Sequence, residues 1–120
     1  MLGWVNSAIE FMVIGQFGEA IWLQILKESG QTGKWGNTTI YSDGDTVKMV
    51  VCASNILGIT VDAVLEAFGM FFVTHLKNEG YEELMKKLGS TLEEWLNNLN
   101  NMHENIFMGL PEIVPPNFWY

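Results

Sequence analysis

The sequence predicts a mainly α-helical chain of about six helices, and three observations support that prediction. Apolar residues recur at spacings of three and four along most of the 120 positions, which places their side chains on one face of a helix. Glycines separate these segments at intervals typical of helix lengths. Apolar residues make up 48% of the chain, which is enough for one hydrophobic core in a protein of this size.

Two helices are expected before residue 30, and each is followed by glycine. The first begins near Val5 and is expected to stop at residues 15–18, which contain two glycines. The second covers residues 19–28, and Gly30 lies just beyond its end. Glycine is favoured after the last turn of a helix because it adopts a left-handed backbone conformation readily.

Residues 31–44 are polar and rich in glycine, so they predict a long loop that closes on an Asp-Gly turn pair. Within this loop, residues 38–41 are a weak strand candidate because four residues give little signal. Helical patterning resumes at about Asp45 and stops at Gly58.

The most apolar helix is expected at residues 60–77, although Gly69 lies inside it and is costly there unless another group approaches its backbone. A short helix is expected at residues 81–88. The last helix has the clearest start, because Ser90 and Glu93 match a capping box. In that motif the serine hydroxyl accepts from the amide of residue 93, and the glutamate reaches back.

The charge balance excludes several kinds of partner. Fourteen acidic residues and six lysines, with no arginine, give a net charge of −8, whereas nucleic acids and anionic membranes require clustered basic residues.

No apolar stretch reaches the roughly 18 residues of a membrane span. The single cysteine, Cys52, is expected to be a small buried residue. It cannot form an internal disulfide, so a cytoplasmic protein is expected.

His103 is the residue with the most evident chemistry. It shares an apolar helical stripe with Leu92, Leu96 and Leu99, and an imidazole in such a place needs partners to offset its desolvation. Two interpretations stay open on the pattern alone. The ring is either a core histidine bonded to a backbone carbonyl or an axial ligand of haem iron, which neutral imidazole suits.

The remaining motifs indicate no second site. His75, near Lys77 and Glu79, is expected to be a surface or helix-end residue rather than a second ligand. The two histidines lack the spacing of a zinc site. The sequence also contains no P-loop, no dinucleotide-binding motif and no nucleophile with its base, so no catalytic residue is predicted.

Eight short segments occur in an order, and near the spacings, of one known family. They are Met1–Asn6, Phe17–Trp22, Tyr41–Asp43, Phe68-Gly69, Gly80-Tyr81, Leu88-Gly89, Asn98–His103, and Pro111 with Pro115–Phe118. Together they resemble the haem-nitric oxide/oxygen binding (H-NOX) family, which occurs in the soluble guanylate cyclase β subunit and in bacterial sensors. The resemblance covers essentially the whole chain and implies the N-terminal part of an α+β fold, without its C-terminal antiparallel sheet.

The resemblance implies a haem b cofactor (iron protoporphyrin IX) and a set of residues that contact it. His103 would be the proximal iron ligand, Pro116 would press on the porphyrin, and Leu99 is a further cofactor-binding candidate. Four apolar residues would line the distal, gas-binding side: Val5, Ile9, Phe72 and Val73.

The resemblance also implies a function in gas sensing. Residues 1–120 would form one sensor domain, with a distal lobe at 1–89 and the ligand helix and proline-rich loop at 90–120. NO, or O2 or CO, would bind the ferrous iron, and NO would weaken the proximal bond. The freed helix would then signal to a cyclase, a kinase or a diguanylate cyclase, with cGMP signalling as the expected output.

Departures from the family pattern keep other interpretations open. The Tyr-x-Ser-x-Arg motif that holds the haem propionates in the family is not in this chain, so a C-terminally truncated domain is expected. The alternative function is a haem-free helical interaction module, or a fragment unable to hold haem. A small enzyme is a third interpretation, disfavoured because no acid–base set is present.

Overall fold

The computed structural model describes residues 1–36 and 38–106, with side chains described as far as Asn101. The described part is mainly helical, which confirms the predicted fold class. Its α-helices are α1 (Gly3–Phe17), α2 (Glu19–Ser29), α3 (Asp43–Leu57), α4 (Val61–Leu76), α5 (Glu82–Lys86) and α6 (Leu92–Ile106). One π-helical turn, Lys77–Tyr81, lies between α4 and α5.

The chain divides into two compact units, Met1–His75 and the remainder from Leu76. In the first unit, α2 packs against both α1 and α3. Its core is built from large aliphatic, aromatic and methionine side chains at helical spacing, as the periodicity predicts. The buried cluster is Ile9, Met12, Val13, Trp22, Ile25, Met49, Val50, Ala53 and Val64. Cys52, expected to be buried, is only partly so and packs against the edge of this core.

The first helix ends within the predicted range of residues 15–18, whereas the start of α3 differs from the prediction. Helix α1 continues through Gly15 to Phe17 and ends at Gly18, where φ is 93°. Gly15 keeps a helical conformation, and only Gly18 needs the left-handed one that glycine adopts without steric cost. The expected Asp43-Gly44 turn is instead the first turn of α3, where the Ser42 hydroxyl accepts from the amide of Gly44.

The polar loop after α2 crosses the start of α1. Leu2 and Ile40 form an isolated antiparallel bridge, and the Gly3 amide donates to the carbonyl of Thr39 at 2.9 Å. The weak strand candidate at 38–41 therefore contributes one bridge pair and no named strand. A Cβ atom added at Gly3 would lie 2.1 Å from the Gly36 carbonyl oxygen, so this crossing needs glycine.

The apolar helix α4 is only partly covered in the first unit. Val64 and His75 are buried, whereas Met70 is 73% exposed and Val73 is 47% exposed. A Cβ atom at Gly69 would meet nothing within 4 Å, so no close approach explains that glycine. In the described ranges no single helix is long and apolar enough to span a membrane. Asp43–Leu57 and Val61–Lys86 would qualify only as a pair bent by 110°, on length and composition alone.

A buried polar pair joins α1 to α3. The Thr46 hydroxyl donates to Asn6 Oδ1 at 2.7 Å, and Asn6 is 0% exposed. The Asn6 Nδ2 group has no hydrogen-bond partner among the described residues. The Thr46 contact is therefore what offsets the desolvation of the Asn6 side chain.

We expect Thr46→Val to lower the free energy of unfolding by about 1–3 kcal/mol, because it leaves a fully buried amide without its partner. Urea unfolding followed by circular dichroism measures the change. Thr74→Val is the matched control, since Thr74 is an exposed threonine within α4 and its replacement should change stability by less than about 0.5 kcal/mol. Equal losses in the two variants would contradict the proposed energetic role of the buried pair.

Candidate haem site

The candidate iron ligand, His103, lies near the C-terminal end of α6. The backbone of α6 is helical from Leu92 to Ile106, so His103 is in the last turn. Within the predicted apolar stripe, Leu96 and Leu99 are half-buried, whereas Leu92 is 59% exposed. The His103 imidazole and Pro116 lie outside the described side chains, so their roles stay predictions.

The start of α6 is capped one residue later than expected. The Thr91 hydroxyl accepts from the Glu94 amide at 3.2 Å, and the Glu94 carboxylate accepts from the Ser90 amide at 3.1 Å. The predicted Ser90–Glu93 box is therefore wrong. Both pairs fit the same sequence pattern, because Thr91 and Glu94 have the spacing of Ser90 and Glu93. The local fold at Gly89, where φ is 142°, places Ser90 outside the helix.

A side chain of α6 also bonds to the chain that precedes the helix. Asn98 Nδ2 donates to the carbonyl oxygen of Leu88 at 2.6 Å. Leu88 is buried and lies just beyond the end of α5, where carbonyl groups lack helical partners. No sequence pattern indicates this contact, because the acceptor is a backbone carbonyl ten residues earlier.

The four predicted distal residues all belong to the first unit, in different environments. Val5 is half-buried on α1, while Ile9 is part of the buried core cluster. On α4, Phe72 is half-buried, with its ring centroid 5.7 Å from that of Trp4. Val73 is largely exposed. Val73 therefore presents apolar surface, whereas Ile9 already packs within the core.

His75 lies in the last turn of α4, which confirms the helix-end alternative of the prediction, but it is buried, so the surface alternative is wrong. Its exposed fraction is 8%, and its ring stacks on Phe71 with centroids 5.4 Å apart and planes at 20°. Phe11 and Trp4 of α1 lie on its other sides, at 5.5 and 6.4 Å. The helical spacing contained this information, since positions 64, 68, 71 and 75 share one face of α4. The charged residues after it belong to the next turn.

Glu10 is a half-buried acidic residue of α1. Partial burial raises the pKa of its carboxyl above the ordinary value, because desolvation disfavours the charged form. The folded state therefore holds this proton more tightly than the unfolded state does. The contribution of this carboxyl to the free energy of unfolding is therefore fully present at pH values below its ordinary pKa. It declines as the pH rises through the raised pKa of the folded state.

The described residues fit a flat apolar cofactor in their chemistry. Aromatic and aliphatic side chains of α1 and α4 remain at the surface, among them Phe11, Met70 and Val73, and haem is bound by apolar walls together with an axial ligand. The candidate donor in the sequence is an imidazole, which suits iron. His75 is already enclosed by aromatic rings, so His103 is the better ligand candidate of the two histidines.

A family model and several known proteins match this chain. The family model described as Haem-NO-binding matches residues 2–120. Soluble guanylate cyclases gcy-34 and gcy-37 of Caenorhabditis elegans are 35% and 29% identical over 105 residues. Each alignment covers 86% of this chain and 15% of the relative, so the chain spans a small part of these proteins.

The structural comparison agrees with the family match. An H-NOX protein mutant from K. algicida, solved in its Fe(II) unliganded form, superposes with a TM-score of 0.83 at 19% identity. The match covers 99% of this chain and 65% of that one, so the chain has the N-terminal part of the H-NOX fold. H-NOX domains are regulatory rather than catalytic, and the chain belongs to this haem-NO-binding family of haem-based gas sensors.

Proposed function

We propose that this chain binds haem b through His103 and senses NO at the ferrous iron. The observation that supports the proposal most is the position of His103 on α6, inside the region matched by the family model. Bound haem would supply the iron that takes both the gas and the imidazole. O2 and CO are the other gases to test.

The remaining site residues have separate proposed tasks. Pro116 and Leu99 would hold the porphyrin together with His103. Four apolar residues exclude water from the gas-binding side: Val5, Ile9, Phe72 and Val73. Because this wall has no hydrogen-bond donor of its own, it leaves the affinity for the gas to the iron and its histidine.

The proposed output is a shift of α6 when the proximal bond weakens. A ligand changes such an equilibrium only through its different affinity for the two states, and a weaker hold of His103 on the iron in the presence of NO would supply that difference. Residues 1–89 would act as the distal lobe and 90–120 as the moving proximal part. The proposed receiver is a guanylate cyclase in the cytoplasm, as the names of the relatives suggest, with a kinase or diguanylate cyclase as other receivers.

One observation favours a second candidate function, a haem-free interaction module. Exposed apolar side chains such as Met70 and Phe11 could bind another protein, since such surfaces mark interaction sites. In that case His103 would be an ordinary core histidine.

An absorption spectrum of the chain, reconstituted with ferrous haem and recorded with and without NO, tests the proposal. We expect a Soret band typical of five-coordinate histidine ligation that shifts when NO is added. A longer chain that continues into the C-terminal part of the H-NOX fold is measured in parallel. Absence of a histidine-ligated spectrum in both would reject the sensor and favour the interaction module, whereas its absence from this chain alone would show that further residues are needed.

A further inference from the structure

We propose that Asn98 is a positioning residue for His103, acting by anchoring α6 to the segment before it. The inference rests on the proposed ligation of iron by His103. It concerns contacts within the second unit only, from Leu88 to Asn98.

The anchor is a short hydrogen bond between a helix side chain and a buried backbone group. Asn98 Nδ2 lies 2.6 Å from the carbonyl oxygen of Leu88, ten residues earlier. Leu88 is 7% exposed, so its carbonyl has little access to water and would be costly to leave without a donor. The contact ties the second turn of α6 to a point outside the helix.

Two further contacts hold the first turn of the same helix. A Cβ atom at Gly89 would lie 2.6 Å from Glu94 Cβ, so the helix approaches the backbone there as closely as glycine allows. The Glu94 carboxylate also accepts a hydrogen bond from the Ser90 amide. Its negative charge lies near the N-terminus of α6, where it interacts favourably with the helix dipole. We call Leu88, Gly89, Ser90, Glu94 and Asn98 the α6 anchor.

The anchor determines the position of the candidate ligand. His103 follows Asn98 by five residues, a rise of about 7.5 Å along a helix. A bond from position 98 to a fixed carbonyl resists both sliding and rotation of α6, and the helix carries this restraint to His103. A ligand held in place in advance loses less freedom on bonding, so losing the anchor should weaken the bond between His103 and iron.

The decisive variant is Asn98→Leu, which keeps the approximate size and removes the amide donor. In the ferrous haem-bound chain we expect a lower iron–histidine stretching frequency by resonance Raman, and displacement of the proximal histidine by NO about three- to tenfold faster. Asn97→Leu is the matched control, because Asn97 is an exposed neighbour on the same helix, and it should match wild type. Asn98→Gln retains the donor and should recover part of the effect.

Hydrogen exchange of the haem-free chain gives a second measurement that does not need the cofactor. Amides of α6 beyond Asn98 should exchange about three- to tenfold faster in Asn98→Leu than in Asn97→Leu. Asn98→Asp, of nearly identical shape, replaces the leucine variant if that one does not fold.

The outcomes separate the two proposals. Wild-type values of both the Raman frequency and the exchange rate in the Asn98 variants would overturn the positioning role while leaving haem binding intact. Faster exchange with an unchanged Raman frequency and NO rate would also overturn it, since Asn98 would then be structural only. A wild-type protein that shows no histidine-ligated haem would reject the proposed function itself and this role with it.

Discussion

Replacing His103 with glycine is expected to abolish stable haem binding, and added free imidazole is expected to restore it. The proposed site has one protein ligand to iron, so its loss removes the axial bond altogether. Changes to groups that merely support a metal ligand already lower affinity by about 10–100-fold, so we expect a loss greater than about 100-fold. Glycine leaves space that imidazole can fill, which separates loss of the ligand from loss of the fold.

The control for this variant is His75→Phe. His75 stacks on Phe71 within an aromatic cluster, so phenylalanine preserves the packing better than alanine while removing the other histidine of the chain. We expect its Soret band to match wild type. Equal haem loss in the two variants, or failure of imidazole to rescue His103→Gly, would reject His103 as the ligand.

Gly3→Ala is expected to lower the free energy of unfolding by about 3 kcal/mol, the upper part of the range for overpacked sites. The added Cβ would lie 2.1 Å from the Gly36 carbonyl oxygen and 2.7 Å from the Tyr41 ring. Because the nearest contact is backbone, side-chain rotation cannot relieve it, and the loop after α2 must move away from α1. Urea unfolding of the haem-free chain measures the loss.

Gly15→Ala is the matched control in the same helix. A Cβ atom there meets nothing within 4 Å, and alanine is favoured over glycine inside a helix by about 0.8–1 kcal/mol. We therefore expect a stability change of opposite sign. If both variants were destabilised alike, the loop crossing at Gly3 would not be the cause.

Periodicity predicted the helices because the same apolar residues that recur along the chain are those that the fold buries, as Val13 and Ile25 show. The start of the last helix was missed by one residue because two residues there offer the same local chemistry. Ser90 and Thr91 are equally good caps by residue type, and the structure uses Thr91. Tertiary contacts choose between such pairs, and a local pattern does not contain them.

The residues of the candidate site could also be predicted only in part from the sequence. The apolar stripe placed His103 on the last helix, and helical phase would also have placed His75 in the core, had it been followed from Val64. The Asn98 contact has no such signal, because its acceptor is a backbone carbonyl ten positions earlier and any residue type offers that group. The crossing at Gly3 is hidden for the same reason, since its neighbour is the backbone of Gly36.

The buried bond between Thr46 and Asn6 also bears on how fast the chain folds. Its two residues are 40 positions apart, and closing a loop of that length costs about 3 kcal/mol of chain entropy. The pairings of α1 with α2 and of α2 with α3 join helices adjacent in sequence, so they close at lower cost and bring Asn6 near Thr46. We therefore expect the bond to form after the rate-limiting step, so that Thr46→Val accelerates unfolding more than it slows folding. A unit that folds in this order assembles from local helix pairs, and a distant contact formed late lengthens its lifetime in the folded state.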